Sequence, residues 1–468
     1  MWRSVSVRKP SPPSPRRAPP RRTAMGLADA LLFDVARFGA KIDGSSDSTA
    51  AVQSAIDAAA KVARSANCAH NLLCPPRPVV RIAAGATVVS RAIALRSGMV
   101  LEIDGRLRSA HGDAVLKSWP TLPALPTYGR DRDGAKRRRF AALVRAEGAR
   151  DVAIRGRGVI DGRGPWWWER KKSLRHGRPH LVEFYNCSDV EVSGVELRDS
   201  AFWTLHPVYS QRVHVHHTTI RAPLYAPNAD GIDPDSCRDV VIEHNDISCG
   251  DDWVAIKAGL NAYARTSFPR FVTQNVTVRH NTLRTGMGIS VGSETAGGIR
   301  DVRVHDNLVL GDGGWAVALH VKTAPSRGNM VERVSFRRNV VRNTTGFMRL
   351  EGLYQVNGPG EKPEGYAPTR VRDLEWVGNS YGPAERRTRA AFICSAAAPC
   401  KRITVANNTM GPTSRWSCAH ISHATVGGNS PKGLRGCMRR SKKAAPRQKH
   451  RGAFRKFNWR KGAVERKE

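Results

Sequence analysis

Three aspartates offer the plainest chemistry in this sequence. PNADGIDPD (227–235) holds Asp230, and CGDDWVAIK (249–257) holds Asp251 and Asp252. Adjacent ionised carboxylates repel each other, so a pair at the head of the apolar run WVAI needs a reason. If Asp230 lies alongside, three carboxylates share one patch and cannot all ionise freely, which raises at least one pKa. A protonated carboxyl beside ionised ones is the equipment for acid/base hydrolysis of a glycosidic bond. The blander readings are a calcium site or aspartates that cap turns. A DGxD and a DD, with Asp230 and Asp251 21 residues apart, favour the chemistry.

Lys322 stands in ALHVKTAPSRGN (318–329) and alternates with His320, so one strand would aim both side chains at the same groove. A cation there would hold a sugar carboxylate; a solvated lysine at a strand edge is the equal alternative. The run WWW (166–168) reads either as a sugar-stacking platform or as packing at the base of a loop.

These residues need a frame, and a recurring phrase supplies one. ARDVAIRGRGVIDG (149–162), CSDVEVSGVELRDS (187–200), SQRVHVHHTTIRAP (210–223) and CRDVVIEHNDISCG (237–250) share a polar pair, a V-x-V or V-x-I alternation, and an Asn or Gly at the bend. Further copies follow at 273–286, 299–312, 331–344 and 400–412. Period-two alternation is the strand signal, and Asn or Gly marks the turn. The aligned valines are Val152, Val190, Val213, Val240, Val276, Val302 and Val334, separated by 23 to 38 residues. A short strand returning at that interval with variable insertions predicts coils of a parallel β-helix, each stacked on the last. A β-sandwich explains eight similar copies poorly, and a propeller needs a more regular period. Coils stacked about 4.7–4.9 Å apart would bring the aspartates together. DSTAAVQSAIDAAAKVA (47–63) predicts a helix that covers the first coil's open end.

Charge is the compositional outlier, with 76 Lys+Arg against 40 Asp+Glu, a formal net of +36. Residues 1–24 hold seven basic residues and no acid, and residues 432–468 hold fifteen basic and two acidic. The remainder is still basic, which suits polyanionic partners: nucleic acid, anionic lipid or acidic polysaccharide. No apolar stretch is long enough for a membrane span. The organisation expected is a basic, Pro/Arg-rich segment over 1–30, disordered or a targeting signal, a β-helix domain over 31–437, and a basic disordered tail over 438–468. Of nine cysteines, Cys68/Cys74, Cys394/Cys400 and Cys418/Cys437 are close pairs that can each close a small loop, and the odd count leaves at least one thiol over. Sequons at Asn186, Asn275, Asn343 and Asn407 fit an extracytoplasmic setting. No zinc-type Cys/His spacing occurs.

With these motifs in view, the chain resembles the polygalacturonase family of glycoside hydrolases (family 28), especially its plant-type branch. NADGIDPDS is similar to the family's NTDGID motif, GDDWVAIK to GDD-x-x-AIK, GISVGSETAGGIRDV to G-[IL]-S-[IV]-GS, and HVKT to RIKT. FDVARFGAKIDGSSDSTAAVQSAID, YGRDRDG, GVIDGRGPWWW, RPHLVEF and FWTLHPVY resemble plant-type phrases, and WSC…C resembles a closing disulfide. The likeness spans about residues 33–437. It implies an inverting hydrolase on a right-handed parallel β-helix, acting on α-1,4-linked galacturonic acid in pectin, with no cofactor or metal. Carried over, Asp251 would be the general acid, Asp230 and Asp252 would activate water, and Lys322 would bind the substrate carboxylate with His320 beside it. Inversion predicts carboxyl groups about 6.5–9.5 Å apart. Ala229 replaces the motif's Thr, Met287 stands where many members have His, and His320 where they have Arg. A monomer acting on acidic polysaccharide is expected, with no nucleic acid partner, in the extracellular space or cell wall. The rival readings are a β-helix that binds such a polymer without cutting it, a calcium-dependent lyase, and a nucleic acid binder acting through its tail.

Overall fold

The computed structural model describes residues 31–65, 76–129, 138–312, 316–354, 367–382, 389–410, 415–429 and 432–440. The first thirty residues, the Cys68/Cys74 pair and the tail beyond 440 lie outside them. The aligned valines form one column: Val152 pairs with Val190, and the pairing continues through Val213, Val240, Val276, Val302 and Val334. All seven are at most 2% exposed. Among the described residues that column belongs to a thirteen-stranded parallel sheet whose strands follow one another in chain order. An eleven-stranded sheet forms a second face. The third face is built from a four-stranded and a six-stranded sheet, joined through bridges from Leu205 to Ile232 and from Ile232 to Val254. Three faces wound in sequence make a right-handed parallel β-helix, and the inward Val, Ile and Leu side chains merge into one core.

The polar residue before each valine has a structural role. Asp151, Asp189, Arg212, Asp239, Asn275, Asp301 and Arg333 all have φ between 50° and 58° and are skipped by the ladder. Asp and Asn tolerate the left-handed region best among residues with a side chain. The arginines there reach back one coil, Arg212 to Asp189 and Arg333 to Asp301. At the bend, Asn245, Asn281, Asn307, Asn339, Asn379 and Asn408 stack in a buried column. Each side-chain oxygen accepts from the preceding coil's amide: Asn281 N donates to Asn307 Oδ1 at 3.1 Å, and its Nδ2 to the same atom at 2.9 Å. The freed Nδ2 groups donate inward to backbone carbonyls such as Val278 O.

Both ends are closed. Helix Thr49–Ser65 buries Val52, Ala55, Ile56 and Ala59 completely against the first coils. At the far end helix Leu434–Arg440 packs on the last strands, and Cys437 is bonded to Cys418. The sequence predicts a disordered tail from residue 438, whereas the helix carries order to Arg440; seven residues are too few to show an apolar period. Cys394 is bonded to Cys400. Cys187, Cys237 and Cys249 are free and buried; burial pushes the Cys237 thiol up to about 12, so it is chemically quiet. The tryptophan run packs: helix Gly164–Glu169 sinks Trp167 and Trp168 into the body, with Trp167 set edge-on to Trp119. All four sequon asparagines are exposed.

Candidate active site

The third face carries the aspartates. Ile232 bridges Val254 and Asp235 bridges Lys257, a register that sets Asp230 level with Asp252 on the next coil. Asp251 projects from the turn before that strand, and one carboxylate oxygen from each of Asp230, Asp251 and Asp252 lies within 4.8 Å of the others. Coil spacing alone gives this proximity.

The three carboxyls are not equivalent. Asp252 is 3% exposed and fully partnered: Lys322 Nζ donates to Oδ2 at 2.5 Å and Ser290 Oγ to Oδ1 at 2.8 Å. Asp251 is half-buried, and its Oδ1 accepts from the Asp252 amide at 3.0 Å. Burial and then the Asp252 charge push the Asp251 carboxyl up to about 6, against the opposing pull of Lys322. Asp230 is raised well above the usual carboxylate range by burial and then by Asp251; its Oδ1 has no hydrogen-bond partner. Lys257 Nζ sits 3.5 Å from Asp230 Oδ2 and 3.5 Å from Glu294 Oε2. Burial opposes charge on Lys257, yet Glu294, Asp233 and Asp230 outweigh it and raise its pKa well above normal. The site therefore sets two carboxyls raised by burial and mutual repulsion, Asp230 and Asp251, beside two fixed ammonium groups.

Lys322 and His320 share strand Val317–Lys322, and both are at most 8% exposed. Lys322 reaches the aspartates. His320 turns to a different partner: its Nε2 lies 3.6 Å from Glu351 Oε2 and makes no hydrogen bond, and burial lowers its pKa. Met287 is 38% exposed, and its amide donates to Asp251 O at 2.8 Å. Spacing did not single out Lys257, Glu294, Asp233, Ser290 or Tyr354. Lys257 follows Ala255 on the outward alternation, so its direction was readable, while its partner one coil away was not. Tyr354 lies under Lys322 Nζ, 5.4 Å from its ring centroid.

Behind this groove is a second polar cluster. Trp203 carries Lys257 Nζ 4.2 Å above its ring and stacks on His180 at 5.3 Å and Phe202 at 4.9 Å. His180, Glu183 and His206 converge beneath it, with Arg139 on Glu183 and Asp235 beside His206.

The family Glycosyl hydrolases family 28 matches residues 93–427. A probable polygalacturonase of Vitis vinifera is 32% identical over 335 residues, covering 68% of this chain and 66% of its own length, just under two thirds. The endo-polygalacturonase of Pectobacterium carotovorum subsp. carotovorum is 28% identical, covering 75% of this chain and 84% of its own. Among solved structures, the exopolygalacturonase of Thermotoga maritima superposes with a TM-score of 0.68 at 22% identity, over 86% of this chain and 96% of that one. The polygalacturonase of Erwinia carotovora ssp. carotovora gives 0.63 at 25% identity, over 81% and 94%. The matched span contains the whole carboxylate groove and nearly all the coils, and on that ground the chain belongs to glycosyl hydrolases family 28, a family of glycoside hydrolases.

Proposed function

We propose that the chain is a polygalacturonase-type hydrolase that cleaves α-1,4-galacturonosyl linkages in pectin by carboxylate acid/base catalysis. The carrying observation is the contrast between Asp251 and Asp252. Asp251 holds its proton to about pH 6, while Asp252 is pinned by an ammonium and a hydroxyl. In this reading Asp251 protonates the departing glycosidic oxygen. Asp252, with Asp230, orients a water on the opposite side and takes its proton as it attacks, so the anomeric centre inverts. Lys322, freed in part from Asp252, holds the substrate carboxylate. The basic body draws the polyanion in, and association weakens as salt rises. The β-helix domain over 31–437 acts as a monomer in the extracellular space or cell wall, flanked by basic segments.

The test is reducing-end release from polygalacturonate. Asp251→Asn should lower kcat by about 10²–10⁴ with the fold intact, and the first-formed product should have the inverted anomer by NMR. No release from any pectic polymer sinks the proposal. A second reading, altered specificity or binding without cleavage, is favoured by His320, which faces Glu351 where a free cation would serve a carboxylate. Full binding that is indifferent to Asp251→Asn, with no product, would select it.

A further inference from the structure

The phrases RPHLVEF and FWTLHPVY stay unused by the hydrolytic site, yet the fold brings their polar residues to one point. Strands Val182–Tyr185 and Leu205–Val208 are neighbours, and their register pairs Glu183 directly with His206. His180, just before the first strand, turns in from the same side. His180 Nδ1 lies 3.1 Å from Glu183 Oε2 and 3.2 Å from His206 Nδ1, and His206 Nδ1 lies 3.7 Å from Glu183 Oε2. Glu183 and His206 are fully buried, and His180 is 8% exposed.

We propose that His180, Glu183 and His206 form a binding site for one divalent transition-metal ion of the zinc class. Three ligand atoms with these separations admit a cation about 2 Å from each, the bond length of zinc to imidazole nitrogen and carboxylate oxygen. Two imidazoles and one carboxylate are a donor set suited to zinc, cobalt or nickel rather than calcium or magnesium. The outer contacts match those of a metal site. His206 Nε2 faces Asp235 Oδ2 at 3.5 Å, and Asp235 in turn accepts from Tyr128 Oη, Ser236 Oγ and the Gly259 amide. A ligating histidine commonly has its second nitrogen oriented by a carboxylate in this way. Arg139 donates to Glu183 Oε2 at 2.6 Å and Oε1 at 3.0 Å, which fixes the carboxylate's orientation.

A divalent ion would enter a cluster in which two buried carboxylates, Glu183 and Asp235, face one guanidinium, Arg139, so it meets net negative fixed charge. It would also brace Trp203, which stacks on His180, lies crosswise to His206 with ring centroids 4.9 Å apart, and carries Lys257 over its face.

Titration of the purified, metal-stripped full chain with Co²⁺ and Zn²⁺ tests this. About one ion should bind per chain, with the visible ligand-field bands of tetrahedral, nitrogen-ligated Co²⁺ and a rise in Tm with Zn²⁺. His206→Ala and Glu183→Gln should lose the bands, and Asp235→Asn should weaken binding about 10–100-fold. Asp251→Asn should leave binding unchanged, which separates this cluster from the three aspartates. If His206→Ala fails to fold, His180→Ala at the rim of the cluster carries the comparison. The proposal is overturned if folded wild-type protein binds neither ion. It is equally overturned if binding survives the cluster variants and is lost in Asp251→Asn.

Discussion

Asp251 and Asp252 are chain neighbours with opposite assignments, and the difference comes from what the adjacent coils offer each. Ser290 and Lys322, from the two following coils, both point at Asp252. Asp251 receives one backbone N–H and the field of its neighbour. Because its carboxyl is raised in the folded chain to about 6, folding binds a proton there more tightly than the unfolded chain does. That contribution is present below the ordinary carboxylate pKa and is lost as pH rises through about 6. Two outcomes follow. Activity should fall above about pH 6 as the proton donor is lost, read as the alkaline limb of kcat/KM. Asp251→Asn should also gain on wild type in stability as pH rises, the gap widening by on the order of 2 kcal/mol between pH 4.5 and pH 7.5. Thermal melts at the two pH values give the comparison, and a gap that stays constant would remove the raised carboxyl from the account.

The element scale shows how far sequence reading reached. The seven valines of the repeated phrase form one ladder in register, because an inward residue at a fixed place in each coil leaves the same mark in the sequence. The coil at Arg370–Val377 escaped notice: Leu374 and Trp376 fill the two inward places, so the V-x-V phrase is absent although Val334 pairs with Leu374 and Leu374 with Ile403. Asp230, Asp251, Asp252 and Lys322 were readable since short motifs carry them. Glu294 was not, as the GSETAGG segment has no strand pattern and its partner Lys257 comes from another coil. The recurrent Asn at the bend was visible only as a turn signal; its buried column emerges once the coils stack. Asn307→Ala there would strip the acceptor from the Asn281 amide and Nδ2 and remove three donated bonds. Leaving those buried donors unpaired should cost about 2–4 kcal/mol. The urea midpoint measures it. Asn307→Asp, whose second oxygen would face the acceptors Val278 O, His305 O and Asn339 Oδ1, should cost at least as much as the alanine.

A solenoid's whole-molecule problem is its two ends, since every interior coil is paired above and below while a terminal coil exposes a strand edge and an open core. The first coil is covered by a seventeen-residue helix whose apolar face needs no further help. Among the described residues the last coil is covered by helix Leu434–Arg440, too short to persist alone in water. Its own Leu434, Cys437 and Met438 are buried, and the Cys418–Cys437 bond, 19 residues apart in sequence, ties the helix to strand Arg415–Ala419. Closing a loop of that size contributes about 3 kcal/mol. In Cys437→Ser the helix should detach, uncovering strand Ile421–Gly427, the outermost of the thirteen-stranded sheet. Stability should fall by about 2–4 kcal/mol, and light scattering should show association through the uncovered edge at concentrations where wild type stays dispersed. The carboxylate groove lies several coils away, so kcat on polygalacturonate below the new Tm should hold. A variant that loses turnover with the same Tm as wild type would mean the end of the solenoid shapes the groove rather than merely closing it.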